Sequence, residues 1–248
     1  MELNGKVALI TGASSGIGKG VAITFAAKGV KVCLAARRTK VLEAVANEIQ
    51  QAGGEALVVE MNVADKSSVA AGVKQLIDHY GRIDILVNNA GIMPTADIDT
   101  FKVDEWEAMV DINIKGVLHV TAAVLPVLIK QSSGHIINLS SIAGRKLFKG
   151  LAVYCGTKHF VSAFSDIMRM EIGKKHNIRV TSIQPGAVET SLYDQITDEG
   201  YKKGMDGLRE QMTFLSPQDI AHSMMYALEA PAHVDVSELF ILPTNQEW

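Results

Sequence analysis

Apolar and polar positions along this chain alternate between two periods. Short runs without polar interruption, such as Val7-Ala8-Leu9-Ile10, are followed by longer stretches in which apolar residues recur every third or fourth position. A run apolar at consecutive positions has both faces of a strand to bury, whereas a three-to-four repeat gives a helix one apolar stripe. The pattern predicts strands at 6–11, 30–36, 56–61, 83–88, 136–140, 178–184 and 239–242. It predicts helices at 18–28, 40–52, 67–80, 104–131 and 151–174, the first with Val21, Ala22, Phe25 and Ala26 on one face and Gly29 as its stop. Pro126 predicts a kink in the fourth helix. One polar, glycine-containing interruption falls at 189–211.

Strands buried on both faces and separated by helices predict a doubly wound α/β Rossmann fold, with one parallel sheet of about seven strands flanked by helices on both faces. No linker-like shift, low-complexity tract or repeat beyond the βα alternation divides the chain, so 1–248 reads as one domain, with 189–211 as a substrate lid within it.

Composition narrows the classes of partner. With 48% apolar and 21% charged residues, extended disorder is excluded. Lys and Arg number 24 against 27 Asp and Glu, a net charge of −3, so there is no basic excess to neutralise a nucleic-acid backbone. Cys33 and Cys155 are too few for a disulfide framework or a four-ligand zinc site, and the seven histidines show no ligand spacing; no metal is expected. The opening Met1-Glu2-Leu3-Asn4-Gly5-Lys6 lacks a basic region followed by an apolar core, so no signal peptide is expected. No apolar run approaches ~18 residues, so no membrane-spanning helix is expected either. A cytoplasmic protein fits these readings.

Chemistry-bearing residues cluster at the strand ends. Thr11-Gly12-Ala13-Ser14-Ser15-Gly16-Ile17-Gly18 lies between a strand and a helix, where glycines permit a tight turn and let backbone approach a pyrophosphate at the positive helix N-terminus. The second strand ends in Ala35-Ala36-Arg37-Arg38, with no carboxylate for a ribose hydroxyl and two guanidiniums suited to a 2′-phosphate. That favours NADP(H), although two arginines also suit a solvated surface. Asn88-Asn89-Ala90-Gly91 leaves room for a ligand at another strand end, or is an ordinary turn. Tyr154 and Lys158 stand one helical turn apart, and a cation beside a phenol moves its pKa toward the working range. Ser141 follows a strand and can hold a carbonyl by hydrogen bond. Taken singly, each feature also fits surface decoration.

Taken together, in this order and spacing, they resemble the short-chain dehydrogenase/reductase superfamily over essentially the whole chain: Thr11–Gly18, Asn88–Gly91, Asn113, Ser141, Tyr154–Lys158 and Pro185-Gly186. The resemblance implies that Tyr154 is the general acid that protonates a carbonyl oxygen, that Ser141 polarises the carbonyl, and that Lys158 binds the nicotinamide ribose and lowers the pKa of Tyr154. Asn113 would position a relay water behind Lys158. Gly12, Ser14, Ser15, Gly16, Ile17 and Gly18 would wrap the pyrophosphate and adenosine ribose. Asn89, Ala90 and Gly91 would line the adenosine side, and Pro185, Gly186, Val188 and Thr190 would meet the nicotinamide carboxamide. A homotetramer is implied as well, with the helix face of Phe160, Phe164 and Met168 as a subunit contact, or else as part of the core.

Two departures from that pattern stand out. Asn62-Val63 occupies the adenine position where the family often has Asp, and the Asn carbonyl oxygen is expected to keep the contact. Ser15 stands where many NADPH-preferring members carry Lys or Arg, which shifts the 2′-phosphate onto Arg37 and Arg38 with help from Ser14. The ending Pro243-Thr244-Asn245-Gln246 is similar to a subgroup containing clavulanic-aldehyde reductases, carbonyl reductases and 3-hydroxy-acid dehydrogenases. Met93, Ile142, Phe148, Leu151 and Tyr193 are expected to wall a pocket for an apolar ketone or aldehyde, with Arg145 as a candidate partner for a substrate carboxylate. An NADPH-dependent carbonyl reductase, reversible as an alcohol dehydrogenase, is the expected activity. The rivals are a 3-hydroxy-acid or amino-alcohol dehydrogenase, an epimerase or dehydratase with tightly held NAD, and a non-catalytic dinucleotide sensor.

Overall fold

The strands in chain order are β1 Val7–Thr11, β2 Lys31–Ala36, β3 Ala56–Glu60, β4 Ile85–Asn88, β5 Gly134–Leu139, β6 Ile178–Pro185 and β7 Glu238–Ile241. This is a computed structural model that describes residues 3–247; Met1 and Glu2 of the N-terminal reading, and Trp248, lie outside it. All seven strands are parallel, in the order β3-β2-β1-β4-β5-β6-β7. The chain builds outward from β1 to β3 and then crosses back to lay β4 beside β1. That reversal opens a crevice at the carboxyl ends of β1 and β4, where ligands bind in open α/β sheets. The expected doubly wound Rossmann fold is the observed one.

Eight helices are described: α1 Gly16–Ala26, α2 Thr39–Gln51, α3 Lys66–Tyr80, α4 Val103–Met109, α5 Gly116–Gln131, α6 Ala152–His176, α7 Glu199–Gln211 and α8 Pro217–Glu229. Residues alternate across β1, so Ala8 and Ile10 pack with α1, α2 and α8, while Val7 and Leu9 pack with α3, α5 and α6. Both faces are thereby dry, which is why the strands carry no polar alternation. Asp84 sets the start of β4 later than the apolar run suggested. Its carboxylate accepts the Val7 N–H at 3.0 Å and pairs with Lys6 and Arg82, so it joins the strands by a side chain.

Three expectations change. Helix α8 was not anticipated, although Ser216-Pro217-Gln218-Asp219 carries its start: Ser216 Oγ accepts the Asp219 N–H at 3.2 Å and the Asp219 carboxylate accepts the Ser216 N–H at 2.7 Å. The predicted helix over 104–131 is a continuous helical path interrupted by a widened π turn at Val110–Lys115, and Pro126 sits on the exposed side of α5 without ending it. By length and composition the helical stretch Val103–Gln131 holds an 18-residue window apolar enough to cross a membrane, with mean hydropathy 1.8, where no such segment was expected. In this fold Val117, Val120, Val124 and Leu128 of that segment are buried against the sheet, as in a core helix. Helix α7, within 189–211, buries none of its side chains fully.

His135 lies near the start of β5, fully buried, with Nε2 at 2.7 Å from Thr181 Oγ1 on β6 and Nδ1 without a partner. Burial, reinforced by Arg179, lowers its pKa from 6.5 to about 3. The folded ring stays neutral while the unfolded one takes up a proton below about 6.5, so its contribution is present above that pH and is lost as the pH falls toward 3. Between pH 7 and 5 the wild-type protein should lose roughly 2 kcal/mol more unfolding free energy than His135→Gln, read from urea titrations.

Candidate active site

The turn after β1 is held by the side chains of Thr11, at the end of β1, and Asn89, just past β4. Gly12 and Gly16 have φ of +67° and +51°, a backbone region that favours glycine. Thr11 Oγ1 donates to Val87 O at 3.2 Å and accepts the N–H groups of Asn89 and Ala90 at 3.0 and 3.1 Å. Asn89 Nδ2 donates in turn to Thr11 O and Gly12 O at 2.8 and 3.3 Å. A side chain at Gly18 would run into the Gly12 carbonyl and Asn89, so close packing beneath the turn requires glycine there. Ser15, extended at the start of α1, makes no capping side-chain bond, and no acidic residue occupies the first turn. The positive helix end is therefore left for an anion.

At the tip of β2, Arg38 reaches back over this turn. Its Nη2 donates to Ser14 Oγ at 3.1 Å and to Ser15 Oγ at 3.4 Å, while Arg37 is exposed beside it. Val63 is buried, and Asn62 is half-buried. The Asn62 carbonyl oxygen, expected to face a ligand, accepts the Ala64 N–H at 3.2 Å and shapes the loop into α3. A carbonyl oxygen has a second lone pair for another donor.

The other end of the crevice is built from β5 and α6. Ser141, extended just past β5, accepts the Ala143 N–H at 3.1 Å and hydrogen-bonds Tyr154 in the first turn of α6. Lys158, one turn further, places Nζ 5.6 Å from the Tyr154 ring centre and donates to Leu139 O at 2.8 Å. Both side chains are buried. Burial raises the Tyr154 pKa, with the Ser141 hydrogen bond opposing it, and lowers that of Lys158 to about 8. In this arrangement desolvation outweighs whatever lowering of the Tyr154 pKa Lys158 exerts, and the ammonium is directed at a backbone carbonyl. Asn113 sits in the π turn, where its amide oxygen accepts the Ile92 N–H at 2.9 Å and its Nδ2 donates to Ile92 O at 2.9 Å and Thr157 Oγ1 at 3.2 Å. It thus fastens the loop after β4 to α6.

A cleft of about 710 Å3 joins the two ends. Its walls include Gly12, Ser14, Ser15, Gly16, Ile17, Arg37, Arg38, Asn62, Val63, Asn89, Ala90, Gly91, Ser141, Tyr154, Lys158, Pro185, Gly186, Val188 and Thr190. Gly18 and Asn113 are not wall residues; both are buried supports behind it. Met93, Ile142, Phe148, Leu151 and Tyr193 line the cleft as anticipated, joined by Leu192, Met205 and Leu208 from 189–211, which the sequence reading did not single out. Gln246 was noted only as part of a terminal pattern; its Oε1 accepts the Ala187 N–H at 2.9 Å and braces the loop after β6. Arg145, a candidate for a substrate carboxylate, lies outside the walls, with Nε donating to Gln184 Oε1 at 2.6 Å and Nη2 paired with Glu238. Among the described residues no group of three His, Cys, Asp or Glu side chains is placed to hold a metal.

Thr11→Val keeps the shape but removes one donor and leaves two half-buried N–H groups without their acceptor. It should lower unfolding free energy by about 1–3 kcal/mol in urea titrations.

Comparison with known proteins agrees with this geometry. The short chain dehydrogenase family model matches residues 6–200. An uncharacterized oxidoreductase of Listeria monocytogenes is 44% identical over 249 residues, covering 100% of both chains. Among solved structures, the closed form of serine dehydrogenase complexed with NADP+ has a TM-score of 0.88 at 31% identity, covering 98% of this chain and 96% of that one. The 3-ketoacyl-(acyl-carrier-protein) reductase from Brucella melitensis complexed with NADH has a TM-score of 0.86 at 30% identity, covering 97% and 98%. The matched segment runs from β1 through the glycine turn, Ser141, Tyr154 and Lys158 into α7, and the chain belongs to the short-chain dehydrogenase family of oxidoreductases.

Proposed function

We propose that this protein reduces a ketone or aldehyde to an alcohol with NADPH, reversibly, using Tyr154 as general acid. The observation that carries this reading is the convergence of Ser141, Tyr154 and Lys158 on one end of a cleft whose other end is the uncapped turn under Arg38. The residues present fit a dinucleotide. Gly12, Ser14, Ser15, Gly16 and Ile17, over Gly18, would hold the pyrophosphate and adenosine ribose, and Arg37 and Arg38 the 2′-phosphate. Asn62 and Val63 would meet adenine, Asn89, Ala90 and Gly91 the adjoining wall, and Lys158 the nicotinamide ribose. Pro185, Gly186, Val188 and Thr190 would meet the carboxamide. When bound, NADPH supplies the hydride that the carbonyl carbon takes up.

The chain supplies the rest. Ser141 donates a hydrogen bond to the carbonyl oxygen and polarises it. Tyr154 holds its proton at neutral pH because burial opposes the phenolate, and gives it up as the oxygen becomes negative. Lys158 stabilises the phenolate left behind. Asn113 positions this machinery by holding both backbone groups of Ile92. Preference for NADPH follows from a β2 tip that offers two guanidiniums and no carboxylate. The neighbours above hold NADP+ in one case and NADH in the other, so the argument rests on this chain's own arginines.

The segment 189–211 acts as a lid. Tyr201 donates to Asp97 at 2.6 Å and Thr197 donates to Glu105 at 2.8 Å, which ties it to residues before and within α4. Met168 is buried in the core and leaves the expected contact face, but a homotetramer is supported by the stacked Phe160–Phe164 pair on α6, beside exposed Ile167 and Met170. Oxidation of a 3-hydroxy acid is the second reading, favoured by the likeness to serine dehydrogenase.

Tyr154→Phe should lower kcat by about three orders of magnitude while leaving the NADPH Kd within about twofold, measured by ketone-dependent NADPH oxidation and by fluorescence titration. Retained turnover would remove Tyr154 from the mechanism. Replacing Arg37 and Arg38 together by Ala should weaken NADPH binding by about tenfold or more and leave NADH binding nearly unchanged.

A further inference from the structure

We propose that the substrate of this site is an uncharged, apolar carbonyl compound, and that the site discriminates against a substrate carboxylate. This rests on the reductase reading above and names its substrate class.

Tyr154 belongs to an apolar cluster. Met93 and Ala143 are buried with it, and Phe148, Leu151, Leu192 and Tyr193 pack on the cluster. A carboxylate entering such a wall loses its hydration and needs a cation or converging N–H donors in return. The cations that line the cleft are Arg37, Arg38 and Lys158. Arg37 and Arg38 stand at the tip of β2, with Arg38 on the serines of the glycine turn. Lys158 donates to Leu139 O.

Arg145 is four residues beyond Ser141, the position from which a guanidinium might be sought, yet it is drawn to the far side of the loop. Gln184 on β6 and Glu238 on β7 both bind it, and Gln184 Nε2 also donates to Glu238, so the three close a ring. Arg209 stacks on Tyr193 and Phe214, but both its Nε and Nη2 donate to Glu189 and its Nη1 to Asp206. The remaining charged wall residue is Asp194, which has the wrong sign for a carboxylate. The reacting end therefore offers hydrogen bonds at Ser141 and Tyr154 for a carbonyl oxygen, and hydrocarbon and ring surface for its substituents.

Acetoacetamide and acetoacetate are close in shape and differ by one charge, and benzylacetone adds an uncharged apolar substituent. With NADPH at neutral pH, kcat/KM should favour acetoacetamide over acetoacetate by at least about tenfold, with benzylacetone higher than both. Placing a cation on the wall, by Leu151→Arg or, on α7, by Leu208→Arg, should move the amide-to-acid ratio toward the acid by about tenfold. Arg145→Ala should change kcat/KM for both by the same factor and leave the ratio as it was. Acetoacetate reduced as well as its amide, or a ratio that shifts further against acetoacetate in Arg145→Ala, overturns the inference while leaving the reductase reading intact. No NADPH-dependent reduction of any of the three overturns the reductase reading itself.

Discussion

One oxygen atom ties the two halves of this fold together beyond the end of their shared ladder. Thr11 Oγ1 stands between the carboxyl ends of β1 and β4, bonded to the backbone of both Val87 and the Asn89-Ala90 pair. Neighbouring parallel strands diverge where their ladder ends, and here the ladder between β1 and β4 ends at Ile10 and Val87. Thr11 and the Asn89 amide carry the connection past that point, so the glycine turn is fixed relative to the second half of the sheet. Everything beyond depends on this distance. The turn that suits an anion and the serine, tyrosine and lysine that suit a carbonyl sit on opposite sides of it.

The reacting end is governed by desolvation. Tyr154 and Lys158 are buried one helical turn apart, and burial acts on them in opposite directions, favouring the neutral form of each. A phenol kept protonated in a dry wall is a proton store, and an ammonium made less costly to neutralise is a responsive neighbour. Their supports are equally buried. The Asn113 amide is saturated by Ile92 and Thr157, and it can reach them because the helix widens by a π turn where it passes. Such turns recur at functional sites because they re-aim one side chain without ending the helix.

Much of this was legible in the sequence where local chemistry and global fold agree. The strands were readable because parallel, doubly buried strands leave uninterrupted apolar runs, and the doubly wound parallel arrangement followed from the strict alternation with helices. The glycine turn, Ser141, Tyr154 and Lys158 each fit surface decoration when taken singly, and were readable because their joint order and spacing resemble a known family. What escaped depends on long-range pairing. The carboxylate of Glu238 claims Arg145 across ninety-odd positions of sequence, which no local pattern announces. The pKa of Tyr154 could not be inferred from its spacing to Lys158, because the sign was set by burial. The π turn was invisible because a single extra residue per turn barely disturbs an apolar stripe. Helix α8 was different: its Ser-Pro start and Asp at the third position were present and simply carry less weight than a long apolar periodicity.

Helix α7 buries no side chain fully, although it contributes Met205 and Leu208 to the cleft, and exposed hydrogen bonds fasten it at Asp97 and the residues just before it at Glu105. Segments with few buried contacts and exposed bonds open locally at a small fraction of the free energy needed to unfold the core. The sheet and its two apolar layers can therefore persist with α7 detached. Apolar surface placed in the cleft would give α7 the buried contacts that the chain alone does not, so that the order of this helix and the occupancy of the cleft are thermodynamically linked quantities.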